Sequence, residues 1–305
     1  MPYTIGFVDD TNGQPAHYNF FQVLRNFAKD NGWEELMYDD SGTNWHTMLR
    51  GSGLTGNENI YIGFHTYHSV ANDYYNMAVC AMTGHFPSSS FYSQPGFVRS
   101  GIPLYKDRID YWITLNAQRI TFVCKVAGYI YHTGYVGKFF PYASPMQYPY
   151  PMLCAGMFGY GSESDVPATG YSGGRLPYYG NSQRPLTNTS YAAYNLRVYS
   201  NFGGAWYPFY CYPGSDSQGV IRDDVIDLDG LYPVMPYELY NYRTDTSLTS
   251  GTPTGIYGQI DGVYWVSGWN LYPEYTMQID GSTFIIFREK ASTSSAAYFA
   301  IRLDE

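Results

Sequence analysis

Charge is scarce in this chain of 305 residues: 14% of them are charged, where an ordinary domain carries about a quarter. The net charge is −9, only five of the seventeen basic residues are lysines, and no Lys/Arg run occurs. That excludes the basic footprint of a nucleic-acid binder. No apolar run approaches the roughly 18 residues of a membrane helix, so no membrane span is expected. The opening MPYTIGFVDD has no basic segment ahead of an apolar one and is not read as a secretory signal. Cysteine is sparse as well. Cys80, Cys124, Cys154 and Cys211 are widely spaced and match no metal or redox motif. The first three lie among apolar residues and read as reduced core thiols, which fits folding in a cytoplasm.

What the chain does have is tyrosine, 35 of them, with 32 glycines and 18 prolines. Tyrosine supplies large contact area at low entropic cost and keeps a polar tip. One helix is legible: Pro15 opens it, Phe20, Phe21, Leu24, Phe27 and Ala28 recur at helical spacing, and Asn31-Gly32 ends it. The remainder reads as β. Runs at 59–67 and 74–83 are short strands; Tyr111 to Val126 is two strands about a turn at Asn116-Ala117. Tyr129 to Gly137 reads as a further tight pair with Gly134 in its turn. Asp261-Gly262 and Asp280-Gly281 each suit a type I′ hairpin turn, and 284–288 pairs plausibly with 297–303. The expected fold is one mainly β domain over 1–305, antiparallel and sandwich- or barrel-like, with one N-terminal helix. Residues 159–190 form a Gly/Ser/Pro/Tyr-rich surface excursion, and 212–219 and 245–255 are shorter loops.

Motifs that bear chemistry are weak. Gly170-Tyr171-Ser172-Gly173-Gly174 has the spacing of a nucleophile elbow, but Pro167 and Pro177 flank it and no strand or helix frames it. His65 and His68 sit in a strand-like run, where residues three apart face opposite ways, so they do not form a metal pair. Asp223, Asp224, Asp227 and Asp229 resemble a calcium loop, but in the EF-hand frame Val225 falls at the first ligand position. A solvated acidic turn is the plainer reading, and a glycosidase carboxylate pair among these acids is the remotest one. Asn188-Thr189-Ser190 is a formal glycosylation sequon without weight here. No catalytic residue, cofactor or metal is expected.

Residues 139–151, FFPYASPMQYPYP, concentrate four prolines, three tyrosines and two phenylalanines. Its aromatic rings can pack on the chain's own sheet, meet another subunit, or stack on sugars. The prolines remove backbone donors, so the segment runs along an edge or over the surface. Phe139, Phe140, Tyr142, Tyr148 and Tyr150 are the candidate interface residues.

The run Trp112-Ile-Thr-Leu-Asn116-Ala-Gln-Arg119 leads through Lys125-Val126 to Phe140-Pro141-Tyr142-Ala-Ser-Pro145-Met-Gln-Tyr148-Pro149-Tyr150-Pro151. It resembles virion structural proteins of tailed bacteriophages, mostly encoded among tail and baseplate genes, with the pattern W-x-x-x-N-x-x-R, K-V, L-P-Y-x-x-P-x-x-Y-P-Y-P. The similarity covers about residues 60–155. Gly258-Gln-Ile-Asp261-Gly262-Val263-Tyr264 is similar to the family's G-x-x-D-G-V-Y element, and Tyr298 to Arg302 to its ending. Phe-Phe-Pro stands where the pattern has Leu-Pro, and 159–255 match only loosely. The resemblance implies a non-enzymatic virion component, of tail or baseplate, made in the host cytoplasm. It implies homo-oligomeric packing beside other virion subunits, and it carries no catalytic residues. Arg119 and Lys125 read as scaffold residues. A receptor- or glycan-binding module at the tail periphery, meeting a cell-surface glycan, is the alternative; a polysaccharide hydrolase is the third reading.

Overall fold

A computed structural model of the chain describes residues 2–142, 152–157, 178, 196–200, 205–208, 210–213, 232–242, 253–288, 295 and 297–304. Strand β1 (Tyr3–Asp9) precedes helix α1 (Ala16–Asp30). Pro15, at φ −53°, begins the helix, and Ala16, Phe20, Phe21, Leu24 and Ala28 form its buried face. It stops where Asn31 donates from its side chain to Phe27 O (2.8 Å) and Gly32 takes φ +94°. The expected helix is therefore present.

Five strands then pair antiparallel in chain order: β2 (Glu34–Asp39), β3 (His46–Gly51), β4 (Ile60–Ser69), β5 (Tyr74–Met82) and β6 (Val98–Leu104). β7 (Arg108–Leu115), β8 (Arg119–Val126) and β9 (Ile130–Lys138) follow as a meander. After the two-residue β10 (Phe140–Pro141), the strands β11 (Met152–Ala155), β12 (Leu196–Ser200) and β13 (Ala205–Pro208) extend it. With β1 on its outer edge, this central sheet has the order β1-β7-β8-β9-β11-β12-β13. The third sheet holds β14 (Tyr210–Tyr212), β15 (Val234–Tyr242), β16 (Pro253–Val266), β17 (Thr276–Ile279), β18 (Ser282–Arg288) and β19 (Tyr298–Arg302). Its order is β14-β15-β16-β19-β18-β17, with β10 beside β16.

These sheets stack as three layers with the sheet that runs from β1 to β13 in the middle. Ile113, Phe122, Cys124, Val136 and Cys154 point into one core with α1 and the first sheet. Their neighbours Trp112, Val123, Tyr135, Leu153 and Ala155 point the other way, into a second core with Leu239, Val263, Phe287 and Phe299 of the third sheet. Strand side chains alternate between faces, and β8 is buried on both, so it reads as an almost unbroken apolar run. Each large apolar side chain so enclosed contributes about 1.5–3 kcal/mol. All four cysteines are free and buried. Of residues 159–190, Tyr178 alone is described; it is buried in the second core, stacked on Tyr237 at 5.5 Å.

Asp280 (φ +49°) and Gly281 (φ +77°) make the expected turn between β17 and β18, and β18 pairs with β19 as expected. Two expectations need correction. Gly134 is not in a turn: β9 runs unbroken, and its turn from β8 is Ala127-Gly128, at φ +49° and +78°. Gly134 instead makes room between layers, since a Cβ there would lie 2.5 Å from Ile102 Cδ1 and 2.6 Å from Phe122 Cζ. Nor is Asp261-Gly262 a hairpin turn; it lies inside β16. There the strand exchanges neighbours, from β10 at Gly258-Gln259 to β19 at Val263–Trp265. Gly262, at φ +73°, supplies the kink.

Candidate docking surface and the buried node beneath it

The kink in β16 exists because of what fills it. Arg119, at the start of β8, is fully buried and sends its guanidinium across to the third sheet. Its Nε lies 3.4 Å from Asp261 Oδ2, and Nη1 donates to Thr114 Oγ1 at 2.7 Å. The same Asp261 oxygen accepts from Asn116 Nδ2 (2.8 Å) and Gln118 Nε2 (2.9 Å). Asn116 Oδ1 in turn accepts the backbone N–H groups of Gln118 and Arg119, both at 3.0 Å, which shapes the β7–β8 turn. A Cβ on Gly262 would fall 1.9 Å from Arg119 Nη2, so only glycine admits the guanidinium. One cation, one carboxylate and two amides thus form a node between the central and third sheets, with Arg119, Asp261 and Gln118 sealed from water and Asn116 half-buried at its rim. Its bonds are charge-assisted in a low-dielectric interior, so it fixes one relative placement of the two layers.

This node also holds the base of the aromatic segment. Gln118 O accepts the Lys138 N–H at 2.8 Å, and Tyr135 donates its hydroxyl to Lys138 O at 2.5 Å. Lys138 itself pairs with Glu58. From there Phe139 turns inward and is 1% exposed within the second core. That corrects its reading as an interface residue: its ring belongs to the chain's own packing. Phe140 and Pro141 add to the edge of β16 opposite Gln259 and Gly258. Gly258 is required for this approach, since a Cβ would meet Phe140 O at 2.1 Å. Tyr142 emerges, 55% exposed, with its N–H bonded to Tyr257 O (2.9 Å) and its hydroxyl donating to Glu238 Oε1 (3.1 Å). Ile256 is exposed in the same part of the third sheet. Tyr148 and Tyr150 lie outside the described residues, as do Gly170–Gly174, Asn188–Ser190 and Asp223–Asp229.

His65 and His68 stand on β4 and face opposite ways, as expected of a strand. His65 meets Tyr67, Phe91 and Tyr92 on the outer face of the first sheet; His68 stacks on Tyr75 beneath α1. Among the described residues no three His, Cys, Asp or Glu side chains come together as a metal site, and no helix is long and apolar enough to cross a membrane. Lys125 binds Glu274 Oε1 at 2.7 Å, and Tyr131 donates to the same oxygen at 2.6 Å. That anchors the 267–275 loop, whose Trp269, Tyr272 and Tyr275 are exposed. This loop carries no motif by which sequence reasoning would have singled it out, and the visible Asp261-Gly262 element gives no sign of its partner Arg119, far away in the chain. No family model matches the chain, and no curated protein matches it.

Proposed function

We propose that the protein is a non-enzymatic structural component of a tailed-phage virion, of its tail or baseplate. It docks to other subunits through Tyr/Pro-rich surface. One observation carries this reading: Asn116, Arg119, Asp261 and Gly262, all residues of the phage-protein pattern, meet in one buried node. The chemistry of that node is architectural. It holds two sheets together and sets the base of the segment that ends in exposed Tyr142. Aromatic, charge-poor surface of this kind suits lasting contacts, and many copies on a symmetric particle multiply weak ones. Immunogold labelling of the virions of the encoding phage, with antibody against this chain, is expected to decorate the tail; unlabelled particles would sink the reading.

Tyr142 gives a finer test. In the isolated chain Tyr142→Ala is expected to change stability by no more than about 0.5 kcal/mol, as for other exposed positions. Incorporation into particles is expected to fall, because aromatic anchors dominate binding energy. Normal incorporation of the variant would remove Tyr142 from the contact.

A glycan-binding role at the tail periphery has one observation in its favour. Tyr272 is 80% exposed beside Trp269 and Tyr275, on a loop fixed by Lys125–Glu274. A glycan array on the purified chain separates the readings: binding that is lost in Tyr272→Ala favours this second one.

A further inference from the structure

Exposed sheet edges invite pairing with other chains, and proteins usually blunt them with charge, proline, bulges or short strands. Among the described residues, five of the six terminal strands are blunted. β2 carries Glu34, Glu35 and Asp39 and has a register shift between Glu35 and Met37. β6 contains Arg99 and Pro103, and Met157 donates its N–H to Gly101 O. β13 has four residues and ends in Pro208; β14 has three residues and β17 four. β1 has none of these devices from Tyr3 to Val8; only at its end does Asn19 Nδ2 cover the Asp9 carbonyl, at 2.7 Å. It runs seven residues in unbroken register with β7, from Tyr3↔Thr114 to Asp9↔Arg108, with no charge before Asp9. Its alternate side chains Tyr3, Ile5 and Phe7 are 51%, 49% and 53% exposed, where the third sheet stops short of covering it.

We infer that β1 pairs antiparallel with β1 of a second copy, about a two-fold axis at Ile5, joining two seven-stranded sheets into one. The strand is its own complement in that register. Ile5 opposes Ile5 of the second copy and Tyr3 opposes Phe7, so every outward position makes an apolar or aromatic cross-strand pair. Arg108, whose guanidinium lies 4.1 Å over the Phe7 ring, is placed beside the incoming tyrosine. Charge selects the direction. Antiparallel pairing sets the two Asp9 residues about 26 Å apart at 3.3 Å per residue, well beyond the ~8 Å screening length. Parallel pairing would set them side by side. A two-fold axis makes such a contact closed, so it ends at the dimer. The inference stands apart from the virion reading: a monomer in solution would overturn it and leave that reading untouched, and unlabelled virions would do the reverse.

Sedimentation of the purified full chain is expected to give twice the monomer mass. Ile5→Lys, which sets two like charges opposite each other, is expected to raise the dissociation constant at least about 30-fold. Its circular dichroism and melting should stay those of the parent, since position 5 is half exposed. Under mild oxidation Ile5→Cys is expected to form a disulfide dimer rapidly, whereas Tyr3→Cys, which faces Phe7, is not; the four native thiols are buried. A monomer up to roughly 100 μM, weaker than a micromolar contact by two decades, would overturn the inference. So would a dimer indifferent to Ile5→Lys, or equal cross-linking at positions 3 and 5.

Discussion

Asp261→Ala is expected to lower the unfolding free energy by about 3–5 kcal/mol, the usual cost of removing one member of a buried ion pair. The loss has three parts. Arg119 keeps its charge in a site with no access to water. Asn116 Nδ2 and Gln118 Nε2 lose their shared acceptor. The cavity left at the kink of β16 loosens the seam between the central and third sheets. Asp261→Asn, which keeps an acceptor but not the charge, should fall between wild type and alanine. An apolar double variant, Arg119→Met with Asp261→Leu, should recover much of the loss, because burying neither charge avoids both desolvation costs. Gly262→Ala should also destabilise, since its methyl would collide with the guanidinium at a φ of +73°. Urea unfolding of the set checks this. An Asp261→Ala variant within about 1 kcal/mol of wild type would show that the node is not a lock.

The same node marks where the sequence was legible and where it was not. α1 could be read because its apolar residues recur with the helical period and Pro15 and Asn31-Gly32 bracket it. The β17–β18 hairpin could be read because both turn residues tolerate positive φ. The Trp112–Arg119 pattern and the Asp261-Gly262 element were each visible, but not that they meet. Asn116 and Asp261 are 145 positions apart, and a lone Asp-Gly looks the same in a turn and in a strand kink. Gly134 was misread for a related reason. Glycine serves both where the backbone must turn and where a neighbour must come close, and only the packed layers tell the two apart. Of the five aromatic residues read as an interface, Phe139 went inward, because a strand end that leads onto a new sheet must bury its first side chain. The β1 stripe has its period of two in plain view; its exposure depends on where the third sheet ends, which no local pattern encodes.

Acidification from pH 7 to pH 5 is expected to cost about 2 kcal/mol of stability through His17 alone. The residue lies on the buried face of α1, packed against Tyr18, His68 and Tyr75 at ring-centroid distances of 4.1, 5.3 and 5.5 Å. Both its ring nitrogens are buried without a hydrogen-bond partner among the described residues. Burial, and to a lesser degree the neighbouring His68, hold its pKa down from 6.5 to about 3. Among the described residues no carboxylate contributes to this shift; the charge on the neighbouring Tyr75 ring is Lys106, at 5.7 Å, itself paired with Asp73 at 2.9 Å. The sign follows from proton counting. Above pH 6.5 the imidazole is neutral whether the chain is folded or not, and the group has no effect. Between 6.5 and 3 the unfolded chain binds a proton that the folded chain refuses, so stability falls as pH falls, by about 1.4 kcal/mol per unit once well below 6.5. Burial also lowers the pKa of His68 and His46, which act in the same direction. The carboxylates with lowered pKa, Asp9, Asp39, Glu35 and Asp304, lose their contribution only at lower pH, below their ordinary values. Urea midpoints at pH 7, 6 and 5 should therefore decline steadily, and His17→Phe, which fills the site without a titrating group, should flatten much of the slope. An unchanged midpoint across that range, or a variant as acid-sensitive as the parent, would mean that His17 finds a proton acceptor or water on folding.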